Sequence, residues 1–174
     1  MKNDNIKKIK AYLLILSLIS LISCTKDDFD MNDPDVDEFV SILKNGNYFN
    51  EVGYELPNFT MEHIAGLLHY SKDTSRIREF PTNPLSSMYT NPKILNECIF
   101  WTIDGIRYSN EYPSLEPCLR DTTDFSETEG YSRLSGRELI DVADLYLDWY
   151  DAYNTNHSED IRTKNIFENT SYRW

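Results

Sequence analysis

Positive charge, histidine, cysteine and glycine are all scarce in this sequence. Its 174 residues carry 17 Lys and Arg against 29 Asp and Glu, a formal net charge of −12. That balance argues against a nucleic-acid partner and against adsorption to anionic lipid by charge. With three His and three Cys there is little to build a metal centre from, and neither HExxH nor a paired CxxC occurs. His63 and His69 stand six residues apart, which on a helix turns them ~120° from each other, so they cannot share an ion as an i, i+4 pair would. The few glycines form no Walker loop and no GxGxxG, and no GxSxG nucleophile turn is present, so no cofactor is implied. Long apolar runs are missing too, with one exception.

The exception is at the start. Lys7, Lys8 and Lys10 precede an apolar run that continues through Leu21-Ile22-Ser23 to Cys24. From Ala11 to Ser23 there are 13 residues, about 20 Å of helix, too short for a ~30 Å hydrocarbon core. A charged n-region, a short apolar core and a small residue before cysteine read as a lipoprotein signal peptide, residues 1–23, rather than a membrane span. Cys24 is then the lipidation site, because its sulfur can carry a diacylglycerol through a thioether. Two or three acyl chains, at ~0.8 kcal/mol per buried methylene, hold a protein on a bilayer firmly where one would not. Lys26, Asp27 and Asp28 follow at once and resemble the acidic surface-export signal of Bacteroidetes lipoproteins. The expectation is an outer-membrane lipoprotein displayed at the cell surface, with residues 24–33 as lipidated cysteine and acidic linker.

Cleavage would leave 151 residues and, since the removed segment holds four Lys and one Asp, a net charge of −15. That length suits one domain, residues 34–174. Aromatics make up 13 % of the chain, with 12 Tyr, which argues against disorder. Asp33-Pro34 reads as a helix start, and Val36, Phe39, Val40 and Leu43 recur at helical spacing before Gly46. Thr60 caps a second helix with Met61, Ile64, Ala65 and Leu68 on one face. Pro81 and Pro84 exclude a long helix over residues 72–90, where a short extended piece at Ile77 to Phe80 is the only regular structure expected. Asn91-Pro92 opens a third helix to about Arg107, whose apolar residues cover about 200° of its circumference, wider than a surface helix shows, so it belongs at the core's centre. Phe100 falls alone on its polar side. Residues 108–134 read as one long irregular stretch. Ser135-x-x-Glu138 is a capping box for a fourth helix to about Tyr153, and a short helix is expected near Glu159 to Ile166.

Asn83-Pro84-Leu85-Ser86-Ser87-Met88-Tyr89, Trp101-Thr102-Ile103-Asp104-Gly105-Ile106-Arg107 and the closing Tyr172-Arg173-Trp174 resemble an uncharacterised family of short Bacteroides lipoproteins. The resemblance covers about residues 34–174. It implies a compact all-α fold of about four main helices, similar to two HEAT-like hairpins with long irregular loops, and it implies no activity.

Candidate chemistry is thin. On the fourth helix Asp141, Asp144, Asp148 and Asp151 lie within an ~80° arc, a dock for a basic partner or simply a solvated face; a straight stripe lacks the converging oxygens that Ca²⁺ needs. Leu139, Val142, Tyr146, Trp149 and Tyr153 lie opposite, and Trp149 should be packed inside against the third helix. Export permits a disulfide between Cys98 and Cys118, while the place of Cys98 on an apolar face suits a buried free thiol. Asp121-Thr122-Thr123 matches the loose pattern of O-glycosylation sites in exported Bacteroidetes proteins. Two classes of function stand. One is a non-catalytic binding or scaffold lipoprotein with a protein or glycan partner. The other is a small hydrolase acting on envelope glycans or peptides through scattered residues such as Glu62, His63, Asp104 and Arg107. A deep pocket gathering those four would favour the enzyme.

Overall fold

A computed structural model describes residues 28–83, 93–128 and 130–174. Asp35, not Asp33, caps α1 (Val36–Asn45): its carboxylate accepts from the Glu38 N–H at 2.8 Å, and Gly46 closes the helix in the left-handed conformation. The loop beyond holds one turn of helix, α2 (Tyr48–Glu51). Thr60 starts the next helix through a 3₁₀ turn, Met61–His63, that runs into α3 (Ile64–His69). In this capping box the third position is histidine where Glu or Gln is usual: His63 Nδ1 accepts from the Thr60 N–H at 3.0 Å. Strands β1 (Arg76–Ile77) and β2 (Lys93–Ile94) pair antiparallel just ahead of α4 (Leu95–Tyr108). The sequence start of this helix, Asn91-Pro92, lies outside the described residues, as do Pro84 and most of the motif beginning at Asn83. Lys93 and Ile94 are extended, so the helix begins later than its proline suggested.

The all-α expectation is overturned. Residues 108–134 are not one irregular stretch: β3 (Arg120–Ser126) and β4 (Gly130–Arg133) form a hairpin, and β5 (Tyr172–Arg173) joins the other side of β3. Among the described residues five strands form two antiparallel sheets, so the fold is mixed α/β. The four main helices lie close to where the periodicity puts them, including α5 (Gly136–Asn156), and α6 (Glu159–Arg162) is the short helix near the end. Strands, not a pairing of helical hairpins, complete the structure. The hairpin escaped a periodicity reading because no residue of its two strands is fully buried and thus no apolar alternation is required. The β-forming cue was compositional, Thr122-Thr123 and Phe125 facing Tyr131.

Helix α4 is the centre of the core, as its wide apolar surface requires. Every residue from Leu95 to Asp104 is buried, and α3 and α5 pack against it. Phe100, assigned to a polar face by its neighbours in sequence, is fully buried and stacks on Tyr146 of α5 with ring centroids 4.5 Å apart. Its neighbours on that face are buried as well: Asn96, Glu97, Asp104 and Arg107. Each ties the helix to another part of the chain. Asn96 Nδ2 donates to the Ser71 carbonyl at 3.1 Å. Glu97 accepts from the Leu119 N–H at 3.0 Å and from Arg133, holding the root of the β3–β4 hairpin. Burial pushes the Glu97 carboxyl above its ordinary range, and Arg133 opposes that shift. Cys98 and Cys118 are both buried and both free thiols.

Candidate functional site

The reversal that ends α4 builds one wall of an open cleft. Ser109 takes the left-handed conformation (φ 50°), and the Asn110 N–H returns to the Gly105 carbonyl at 2.9 Å. The Asn110 carbonyl then lies so near Gly105 that a Cβ there would meet it at 3.0 Å, which accounts for glycine inside a helix. The facing wall is the non-helical segment from Glu55 to Thr60 together with Met61, the first residue of the 3₁₀ turn. It is held by the Tyr48 hydroxyl donating to the Glu55 carbonyl at 2.6 Å and by the Asn58 N–H donating to the Met31 carbonyl at 2.9 Å. Arg162 of α6 borders a further side, and the buried Thr102 also lines the cleft. The volume is about 670 Å³, within the range of small-molecule and side-chain sites.

The cleft has an apolar part and an acidic part. Leu56, Phe59, Met61 and Ile106 supply carbon surface, while Glu55 and Glu111 supply carboxylates. Both carboxylates act on one ring: Tyr112 hydrogen-bonds to Glu111 and also feels the charge of Glu55, so its hydroxyl is pushed up to about 12. Arg162, the cation among the lining residues, is already engaged. Its Nε and Nη2 donate to the two Glu159 oxygens at 2.8 and 2.6 Å, and Nη1 donates to Ser109 Oγ at 3.3 Å.

The residues singled out from sequence lie elsewhere. Cys24, Lys26 and Asp27 fall outside the described residues, and Asp28 is solvent-exposed. Asp141, Asp144, Asp148 and Asp151 all face solvent along α5, and Asp144 bridges to Lys72 at 2.8 Å. None of the four lines the cleft.

Glu62, His63, Asp104 and Arg107 do not line it either. Glu62 is exposed, and His63 is committed to the Thr60 cap. Asp104 and Arg107 are sealed in the core against each other, with relative exposures of 3 % and 1 %. Besides Arg107, the Asp104 carboxylate accepts from the Tyr146 hydroxyl at 2.9 Å and from the Trp174 indole N–H at 2.8 Å. Arg107 also donates to the Arg162 carbonyl at 3.1 Å and to the Lys164 carbonyl, and its guanidinium lies over the Trp149 ring, 4.3 Å from the centroid. Burial pushes the Asp104 carboxyl above its usual range, opposed by Arg107, Trp174 and Tyr146. Every acceptor and donor so placed points inward, and the arrangement fastens the C-terminal segment to α4. It has the anatomy of a structural ion pair.

Thr102, Gly105 and Ile106 are therefore the part of the third-helix motif that reaches the cleft, on the side of α4 away from Asp104 and Arg107. Sequence reasoning missed Glu55, Asn58, Asn110 and Glu111, which sit in loops without periodicity. The one usable signal was Gly105, a glycine in a helix interior that marks a close backbone approach.

Among the described residues no helix is long and apolar enough to cross a membrane, and no three metal-ligating side chains gather. What fold and site define is a small mixed α/β domain with a helix at its centre and an open, acidic-rimmed cleft beside that helix's C-terminal end. The chain belongs to the domain family of unknown function DUF4943, whose model matches residues 30–174. No curated protein and no solved structure matches it.

Proposed function

We propose that this chain is a lipid-anchored, non-catalytic binding module of Bacteroidetes type, displayed on the cell surface, whose ligand occupies the cleft between residues 55–61 and 105–111. The observation that carries the reading is the cleft itself, about 670 Å³ and open to solvent beside the helix end. Its lining offers hydrogen-bonding groups and carbon surface, while Glu62, His63, Asp104 and Arg107, the residues of the hydrolase reading, lie outside it and the last two face the core. Anchoring is supported by the signal pattern ending at Cys24, and display by the acidic residues Asp27 and Asp28 directly behind it.

Labelled palmitate and protease on whole cells test this. The parent should incorporate label and be degraded from outside. Cys24→Ser should lose the label and appear as unprocessed precursor or in the soluble fraction; label retained in that variant contradicts the anchor. Changing Asp27 and Asp28 together to Ala should keep the label but shelter the protein from protease, and unchanged protease sensitivity returns those residues to a plain linker.

A further inference from the structure

We infer that the cleft takes a cation carried on an aliphatic stem, the chemistry of a lysine or arginine side chain or of a polyamine. The inference rests on the reading of the cleft as a binding site and names what that site selects.

Three features of the geometry agree in sign. Glu55 and Glu111 contribute to the lining from opposite walls, and both are solvent-exposed and close enough to influence the same tyrosine. The C-terminal end of α4, a helix of 14 residues, borders the cleft through Gly105, Ile106 and Ser109 and brings the negative end of the helix dipole to it. Arg162, which would counter them, has its charge spent on Glu159. A ligand anion would meet two carboxylates and a helix C-terminus, whereas an ammonium or guanidinium meets complementary charge. The apolar part of the cleft gives the second half of the match. Leu56, Phe59, Met61 and Ile106 line the same cleft as the carboxylates, and a lysine or arginine stem lays its methylenes on such apolar side chains while its head stays near acid and water. A neutral sugar would use the apolar lining but leave the electrostatic bias unused. A bare metal ion would leave the apolar lining unused.

The test is a set of titrations of ¹⁵N-labelled protein, residues 25–174, read by amide shifts. They are run in about 0.15 M salt, so that the general attraction of an acidic chain is screened beyond ~8 Å. The probes are acetyl-Gly-Arg-Gly-Lys-Gly-amide, its analogue with Gln at both basic positions, its analogue with Glu at both, and spermidine. The basic peptide or spermidine should shift amides in 55–61 and 105–111, and which of the two binds more tightly identifies the source of the cation. The Gln analogue should bind roughly tenfold more weakly or worse, and the Glu analogue should leave these amides unmoved. Glu55→Gln with Glu111→Gln should weaken the basic probe by a similar factor, while Asp141→Asn with Asp148→Asn, an equal loss of charge on α5, should not.

Equal binding of the Gln analogue in the cleft overturns the cation and leaves the binding module standing. Shifts confined to α5, or the same loss from both double variants, overturn the inference in favour of nonspecific attraction or the aspartate stripe. Failure of every probe to move the cleft amides overturns it outright, and the anchoring experiment above is unaffected by that result.

Discussion

Replacing Asp104 by alanine should unfold much of what holds the C-terminal segment in place. The substitution removes the acceptor of three donors at once: Arg107, the Tyr146 hydroxyl and the Trp174 indole N–H. Arg107 keeps two carbonyl acceptors, those of Arg162 and Lys164, but its buried charge loses the carboxylate that compensates it. Breaking one side of a buried pair typically costs ~3–5 kcal/mol, and the two orphaned neutral donors would each add ~1–3 kcal/mol if contributions were additive, which in one network they are not. About 4 kcal/mol is therefore expected, against a total stability of ~5–15 kcal/mol for a domain of this kind. Urea denaturation followed by far-UV circular dichroism measures it, with Asp144→Ala as the exposed control that should shift stability by no more than about 0.5 kcal/mol. A functional acid held in place at a cost to the fold would behave in the opposite way, because its removal commonly leaves stability unchanged or raised. An Asp104→Ala variant within about 1 kcal/mol of the parent would refute the structural account of this pair and reopen the hydrolase reading. Swapping both partners for apolar residues of similar shape, Asp104→Leu with Arg107→Met, should recover part of the loss, since replacing a whole buried pair is often neutral.

Trp149 is 6 % exposed, donates its indole N–H to the Ile161 carbonyl at 2.8 Å and lies under Arg107 of α4; Trp149→Ala should lower stability by ~3–5 kcal/mol in the same urea assay, and a variant as stable as the parent would contradict the core assignment. Burial pushes the Cys118 thiol up to about 11 and that of Cys98 well above its ordinary value, so at pH 8 only about one Cys118 thiol in a thousand is reactive thiolate. In a Cys24→Ser background, two equivalents should react with a thiol reagent only after denaturant is added; immediate reaction would mean exposed thiols, and none after denaturation would mean a disulfide.

What was legible in the sequence was whatever obeys a period or a cap. The helices of Val36–Asn45, Leu95–Tyr108 and Gly136–Asn156 announce themselves by apolar spacing, by Gly46 and by the Ser135–Glu138 box. The exposed β3–β4 hairpin does not, because with none of its strand residues fully buried nothing forces alternation. Polar residues inside α4 were the deeper obstacle. Glu97 and Asp104 look like solvent-facing carboxylates until Arg133 and Trp174 arrive from 36 and 70 residues further along the chain. Such partners are set by tertiary contacts that no local pattern encodes. For the same reason Asp104 and Arg107 drew attention as candidate chemistry, while Glu55 and Glu111, in loops that meet only across the cleft, did not.

Binding without turnover at the cleft is most directly examined by adding fractionated cell-envelope extract to the ¹⁵N-labelled protein. The recovered small molecules are then analysed by mass spectrometry before and after incubation. The account predicts amide shifts concentrated in residues 55–61 and 105–111, with the captured ligand recovered chemically unchanged. Shifts lying along Asp141, Asp144, Asp148 and Asp151 instead, or cleavage products that disappear in the Asp104→Asn variant, would contradict it.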